Sequence, residues 1–100
     1  MRVISRRRLR EFWEAHPQAE GPLIAWHRIA EHADWTCFAD VRATCANSVD
    51  QVGDWTVFNI AGNHFRLAVK IEYGLGKVFV DRAMTHADYE RWTRQNRPGR

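Results

Sequence analysis

From His64 to Tyr73 the chain alternates without a break. Phe65, Leu67, Val69, Ile71 and Tyr73 fall on one side, and His64, Arg66, Ala68, Lys70 and Glu72 on the other. A period of two sustained over this length fits an extended strand with one face on a core, because successive Cβ atoms point to opposite faces. The register of such a strand is tightly specified, since a slip of one residue would bury Arg66, Lys70 and Glu72. Thr56-Val57-Phe58-Asn59-Ile60 precedes it across Ala61-Gly62-Asn63, a turn in which Gly or Asn can take positive φ. Lys77 to Met84 follows it across Gly74-Leu75-Gly76, with Val78 and Val80 as the core face. Together the three segments predict an antiparallel meander.

The meander needs a cover, and the preceding half of the chain reads as helices. Arg2-Val3-Ile4 is a short apolar start suited to an edge strand. Ser5 is placed to cap a helix running to about Ala15, with Leu9, Phe12, Trp13 and His16 as its stripe. Pro17 stops that helix and suits the first turn of the next. Ala19, Leu23, Trp26, Ile29, Ala30 and Ala33 give the second helix an apolar face, and Gly21-Pro22 weakens its start. Thr36 suits the cap of a short third helix through Arg42, and residues 43–54 read as loop. After the meander, Thr85 caps a helix from His86 to about Gln95, with Asp88 at capping-box spacing. The tail from Asn96, with Pro98 and Gly99, reads as frayed. One α+β domain over residues 1–100 is expected, with N-terminal helices on one face of an antiparallel sheet and a C-terminal helix after it. The opposite face, carrying His64, Arg66 and Lys70, would be a floor for phosphate.

Charge sharpens that expectation. The net charge of the 100 residues is only +3, but its distribution is uneven. Arg2, Arg6, Arg7, Arg8 and Arg10 crowd the first ten residues, and Arg91, Arg94, Arg97 and Arg100 the last ten, with Glu and Asp absent from both. All of the 15 basic residues except Lys70 and Lys77 are arginine, which forks onto phosphate oxygens better than lysine does. Such a pattern suits a surface for nucleic acid, and it also suits solvated charge runs. No apolar run approaches the roughly 20 residues needed to cross a bilayer, and no apolar segment follows the N-terminal arginines, so a cytoplasmic protein is expected. Cys37 and Cys45 match no zinc spacing and read as reduced thiols.

Nucleotide-binding loops, zinc signatures and nucleophile elbows are all missing from the sequence. Polar groups cluster instead around the meander and last helix. His86 falls in that helix's first turn and Tyr89 one turn on. Arg66 and Lys70 project from the middle strand, and Arg82 stands near the end of the third. Metal-free RNA cleavage needs little more: a group to take the 2′-hydroxyl proton, a group to protonate the leaving 5′-oxygen, and cations for the charge on phosphorus. A helix N-terminus disfavours an imidazolium, which would leave His86 able to act as base. Arg66, Lys70 and Glu72 equally suit a hydrated strand face, His16, His27 and His32 suit surface or core roles, and Trp13, Trp26 and Trp55 read as core, with Trp92 open.

Three stretches resemble one family. Met1-Arg2-Val3-Ile4-Ser5, with Leu9-Arg10-Glu11-Phe12-Trp13, is similar to the opening of HigB-type toxins, and His16-Pro17 and Ala33-Asp34-Trp35 continue the likeness. Val57-Phe58-Asn59-Ile60-Ala61-Gly62-Asn63-His64-Phe65-Arg66-Leu67 resembles the family's aromatic-Asn-aliphatic-Gly-Gly-Asn segment and its arginine. Met84-Thr85-His86-Ala87-Asp88-Tyr89 resembles its Thr-His-x-(Asp/Glu)-Tyr signature. The resemblance implies a RelE-like fold of the RelE/ParE superfamily and metal-independent, cofactor-free cleavage of mRNA in the ribosomal A site. Implied partners are the ribosome, mRNA and a HigA-like helix-turn-helix antitoxin, with operator DNA bound only through the antitoxin complex. It places His86, Tyr89 and Arg66 at the catalytic centre. Lys70, Arg82, His64, Asn63, Arg6, Arg7, Arg10, Arg91 and Arg94 are the expected RNA contacts.

Two residues depart from the pattern. Ala61 stands where glycine is usual, which is tolerable at negative φ. Asp81 stands where some relatives are basic, so Arg82 would face the core unless a bulge restores the register. The competing readings are a gyrase-poisoning toxin of the ParE kind and an inactive toxin fold kept for binding and repression.

Overall fold

The computed structural model of the chain describes residues 1–96; Arg97 and Arg100, and the Pro98-Gly99 part of the expected tail, lie outside the described residues. Five strands form one sheet: β1 (Arg2–Ile4), β2 (Val49–Val52), β3 (Trp55–Ile60), β4 (Phe65–Glu72) and β5 (Lys77–Thr85), in the order β1-β5-β4-β3-β2. The meander β3-β4-β5 is antiparallel as expected. β1 pairs with β5 in parallel, so the sheet is mixed. β2 lies within the expected loop and pairs antiparallel with β3. It escaped the pattern because Val49-Asp50-Gln51-Val52 is a short edge strand with two polar residues in the middle.

Helices α1 (Arg6–Ala15), α2 (Glu20–His32) and α3 (Phe38–Cys45) cover one face. Their Leu9, Leu23, Trp26, Ala30 and Val41 pack with Phe58, Ile60, Phe65, Leu67, Val69, Val78 and Val80 in the main core. A 3-10 turn at Pro17–Ala19 joins the first two helices. Ser5 sits at the expected N-cap position with extended dihedrals, but its side chain makes no capping bond. Ile29, expected on the core stripe, is 46% exposed, because Trp26 and Ala30 already fill the inward arc of α2. The cap of α3 also differs. Cys37 is the N-cap residue, and Thr36 donates through its N–H (2.9 Å) and hydroxyl (2.6 Å) to Asp40 Oδ2. These bonds hold the Asp40 carboxyl below the usual carboxylate range. Both cysteines are free, and burial pushes the Cys45 thiol up.

The largest correction concerns the other face of the sheet, where α4 (His86–Asn96) lies. Trp92 is buried there with Val52, Val57, Ala68 and Met84, and Trp55 and Tyr89 pack against this second cluster. Helices therefore cover both faces, and the expected phosphate floor is largely roofed. No helix among the described residues is long and apolar enough to cross a membrane.

Candidate active site

α4 starts where the sequence places it, and Thr85 Oγ1 accepts a hydrogen bond from the Asp88 N–H at 3.2 Å. Asp88 itself pairs with Arg91. The helix is thus anchored at the end of β5, and Tyr89 and Trp92, three residues apart, share its inward side. Their rings stack at 6.0 Å between centroids.

Arg66 was expected to reach solvent. It points to the expected face, but it is only 8% exposed, because Tyr89 lies over it with the guanidinium carbon 5.3 Å from the ring centroid. Its Nη1 donates to the Phe65 carbonyl at 3.1 Å, and it takes part in none of the ion pairs found among the described residues. A shielded cation stabilised by a ring face and one carbonyl retains donors for an anion. Asn59, which sequence reasoning left out of the site, stands directly opposite Arg66 across β3–β4. The strand register, once known, is the signal that finds it.

A bulge decides the place of Arg82. Val69 pairs with Val80 and Ala68 with Arg82, leaving Asp81 as the extra residue in β5. Val78 and Val80 keep to the main core, while Arg82 and Met84 switch to the α4 face beside Arg66. The bulge is pinned from both sides: Arg82 Nε bonds Asp81 Oδ2 at 2.7 Å, and Arg8 Nη1 bonds the Asp81 carbonyl at 3.0 Å. Arg8 is a second residue that sequence reasoning left out. It brings the basic start of α1 to the edge of β5.

The remaining expected residues lie around this centre. Phe65 pairs with Thr85, so the β3–β4 turn with exposed Asn63 and His64 sits at the same sheet end as His86. His86 is exposed, with Nε2 3.4 Å from Glu90 Oε1. Arg94 lines a shallow cleft with Tyr89, Glu90 and Thr93. Lys70 Nζ lies 4.4 Å from the centroid of the Trp55 ring. Arg6 leans on Trp13, Arg7 pairs with Glu11 at 3.2 Å, and Arg10 is exposed, all on α1. His27, buried beside Glu31, and His32, bonded to the Arg28 carbonyl, belong to α2 and not to this site.

Ala61 takes φ +54°, so the condition for an unstrained alanine there, a negative φ, is not met: the β3–β4 turn uses the left-handed region at both Ala61 and Gly62. The chain nonetheless keeps the turn that presents Asn63 and His64.

The arrangement, with a shielded arginine under a tyrosine, a histidine at a helix start and further arginines at the margin, can hold an anion beside two groups able to exchange protons. Residues 19–92 match the model of a family described as HigB_toxin, RelE-like toxic component of a toxin-antitoxin system. Over 99 residues the chain is 24% identical to a protein named mRNA interferase HigB of Escherichia coli O6:H1 strain CFT073, an overlap covering 97% of this chain and 96% of that one. With most of its length matching the family model and its strands and helices forming a compact α+β fold of the RelE-like kind, this chain belongs to the HigB toxin family and is the toxic half of a toxin–antitoxin pair.

Proposed function

We propose that the chain is a metal-independent endoribonuclease that cuts mRNA on the ribosome and so stops translation. The relative named as an mRNA interferase supports RNA cleavage. The observation that carries the reading is Arg66, shielded beneath Tyr89 on a face whose margins hold Arg82, Lys70 and Arg94. Arg82 is answered by Asp81, but Arg66 and Lys70 enter none of the ion pairs found among the described residues, and a phosphate would supply the anion that both lack.

In this reading Arg66 holds the scissile phosphate. A proton leaves the 2′-hydroxyl, the 2′-oxygen attacks phosphorus, and the phosphorus–5′-oxygen bond breaks as that oxygen is protonated. The products are a 2′,3′-cyclic phosphate and a 5′-hydroxyl. Tyr89 and His86 handle the two protons, and the arginines carry the charge that builds on phosphorus. Arg6, Arg7, Arg10 and Arg91 contact ribosomal RNA, and an antitoxin of the HigA kind restrains the toxin and carries the pair to operator DNA.

Inducing the chain in cells and mapping mRNA 5′ ends tests this. New 5′-hydroxyl ends in translated messages are expected, much reduced with Arg66→Ala and unaffected by a chelator that spares the ribosomes. Intact mRNA with altered DNA supercoiling would favour a gyrase poison, and intact mRNA with neither change an inactive repressor.

A further inference from the structure

Beyond Arg66, the α4 face holds an unbroken row of rings with a cation at each end. Arg66 lies 5.3 Å from the Tyr89 centroid and Tyr89 6.0 Å from Trp92. Trp92 lies 5.9 Å from Trp55, and Lys70 Nζ caps the row 4.4 Å from Trp55. Trp92 is fully engaged in packing, whereas Trp55 is half-buried and Lys70 exposed. Lys70 is exposed and takes part in none of the ion pairs found among the described residues, so its ammonium can turn to an anion and leave the ring face beneath it open. Four residues along a strand span about 13 Å, so Lys70 cannot hold the phosphate that Arg66 holds.

We propose that Trp55 and Lys70 form a second nucleotide subsite, in which Lys70 takes a phosphate next to the scissile one and the Trp55 ring face that it vacates stacks the adjoining base. The proposal rests on the reading of the chain as an RNA-cleaving toxin and adds to it a place for a neighbouring nucleotide. The chemistry is that of single-stranded RNA recognition generally: cations follow the backbone and aromatic faces take the bases. The alternative role for the pair is a stabilising cation–π contact on the surface.

Single-turnover cleavage on ribosomes programmed with defined mRNAs separates the two. Messages carrying an abasic nucleotide at each position flanking the cut are compared with the intact message, using wild type, Trp55→Leu, Trp55→Phe and Lys70→Ala, with Arg28→Ala as a remote charge control. At one flanking position the abasic message should be bound about 10- to 100-fold more weakly by wild type, and no more weakly by Trp55→Leu than the intact one is. Trp55→Phe should restore most of the difference. Lys70→Ala should lower the salt dependence of toxin binding by about one counterion, and Arg28→Ala should not.

Additive losses for Trp55→Leu and the abasic message at every position, or an unchanged salt slope for Lys70→Ala, would overturn the subsite. Lys70→Ala keeps the proposal testable if Trp55→Leu does not fold. A wild-type chain that cuts no message defeats the parent reading, whereas cutting with additive losses defeats the subsite alone.

Discussion

On the side covered by α1–α3, the sheet buries Phe58, Leu67, Val69 and Val78, all at most 1% exposed, beneath aliphatic and aromatic side chains of the helices. On the side covered by α4, the same strands bury Val57 and Ala68 next to a guanidinium, and much of the packing is done by three rings and two cations. The first side pairs apolar groups with apolar groups, so each residue can be exchanged for another of similar volume at modest cost. The second shields a charge from water without a carboxylate to answer it, which an ordinary core avoids. Structure that violates a packing rule at one localised place is where function is to be sought.

The comparison breaks most sharply at Tyr89, which serves both the second cluster and the site. Tyr89→Phe keeps the ring over Arg66 and removes only the hydroxyl. If that hydroxyl moves a proton, single-turnover cleavage should fall about 10²–10⁴-fold with thermal melting unchanged. His86→Ala should fall within the same range, since its exposed ring carries little packing. A Tyr89→Phe enzyme as fast as wild type would reduce Tyr89 to a support for Arg66, and Tyr89→Leu should then be slow.

Neighbouring residues on β4 sharpen the contrast between the faces. Leu67→Ala should destabilise the chain by about 2–5 kcal/mol, measured by urea unfolding, because it opens a cavity in the main core. Arg66→Ala should cost stability only about 0.5–2 kcal/mol, the scale of its cation–π contact, yet lower cleavage about 30- to 1,000-fold. Equal destabilisation by both would mean that Arg66 is a structural cation and that the two faces do not differ in kind.

The face under α1–α3 was legible because its pattern is redundant: β4 alternates, Val78 and Val80 repeat the period, and Leu9, Leu23 and Trp26 recur at helical spacing. The α4 face was half legible. Its cations announced themselves, but Ala68 and Trp92 gave no sign that a helix would cross over them. The bulge at Asp81 was conceivable from sequence, but only the pairing of Ala68 with Arg82 determines the side Arg82 takes. Asn59 and Arg8 reach the site through register and tertiary contact, which no local period encodes. β2 stayed hidden because an edge strand needs only half its hydrogen bonds and little apolar content.

The turn joining β3 and β4 offers the smallest and cleanest test of how the two faces meet. Ala61 holds φ +54° and Gly62 φ +64°, and only glycine adopts such angles without steric cost. Ala61→Gly removes strain of about 1–2 kcal/mol and loosens the unfolded chain by about 0.5–1 kcal/mol, for a net gain of roughly 0.5–1 kcal/mol. A rise in Tm of about 2–8 °C is expected by calorimetry. Ala68→Gly on the neighbouring strand should have the opposite sign, because Ala68 is fully buried and gains nothing from left-handed freedom. The turn also carries Asn63 and His64 at the sheet end where α4 begins. If Ala61→Gly raised Tm while slowing cleavage, the strained alanine would be holding those two side chains toward the RNA; an unchanged rate would confine its effect to the fold.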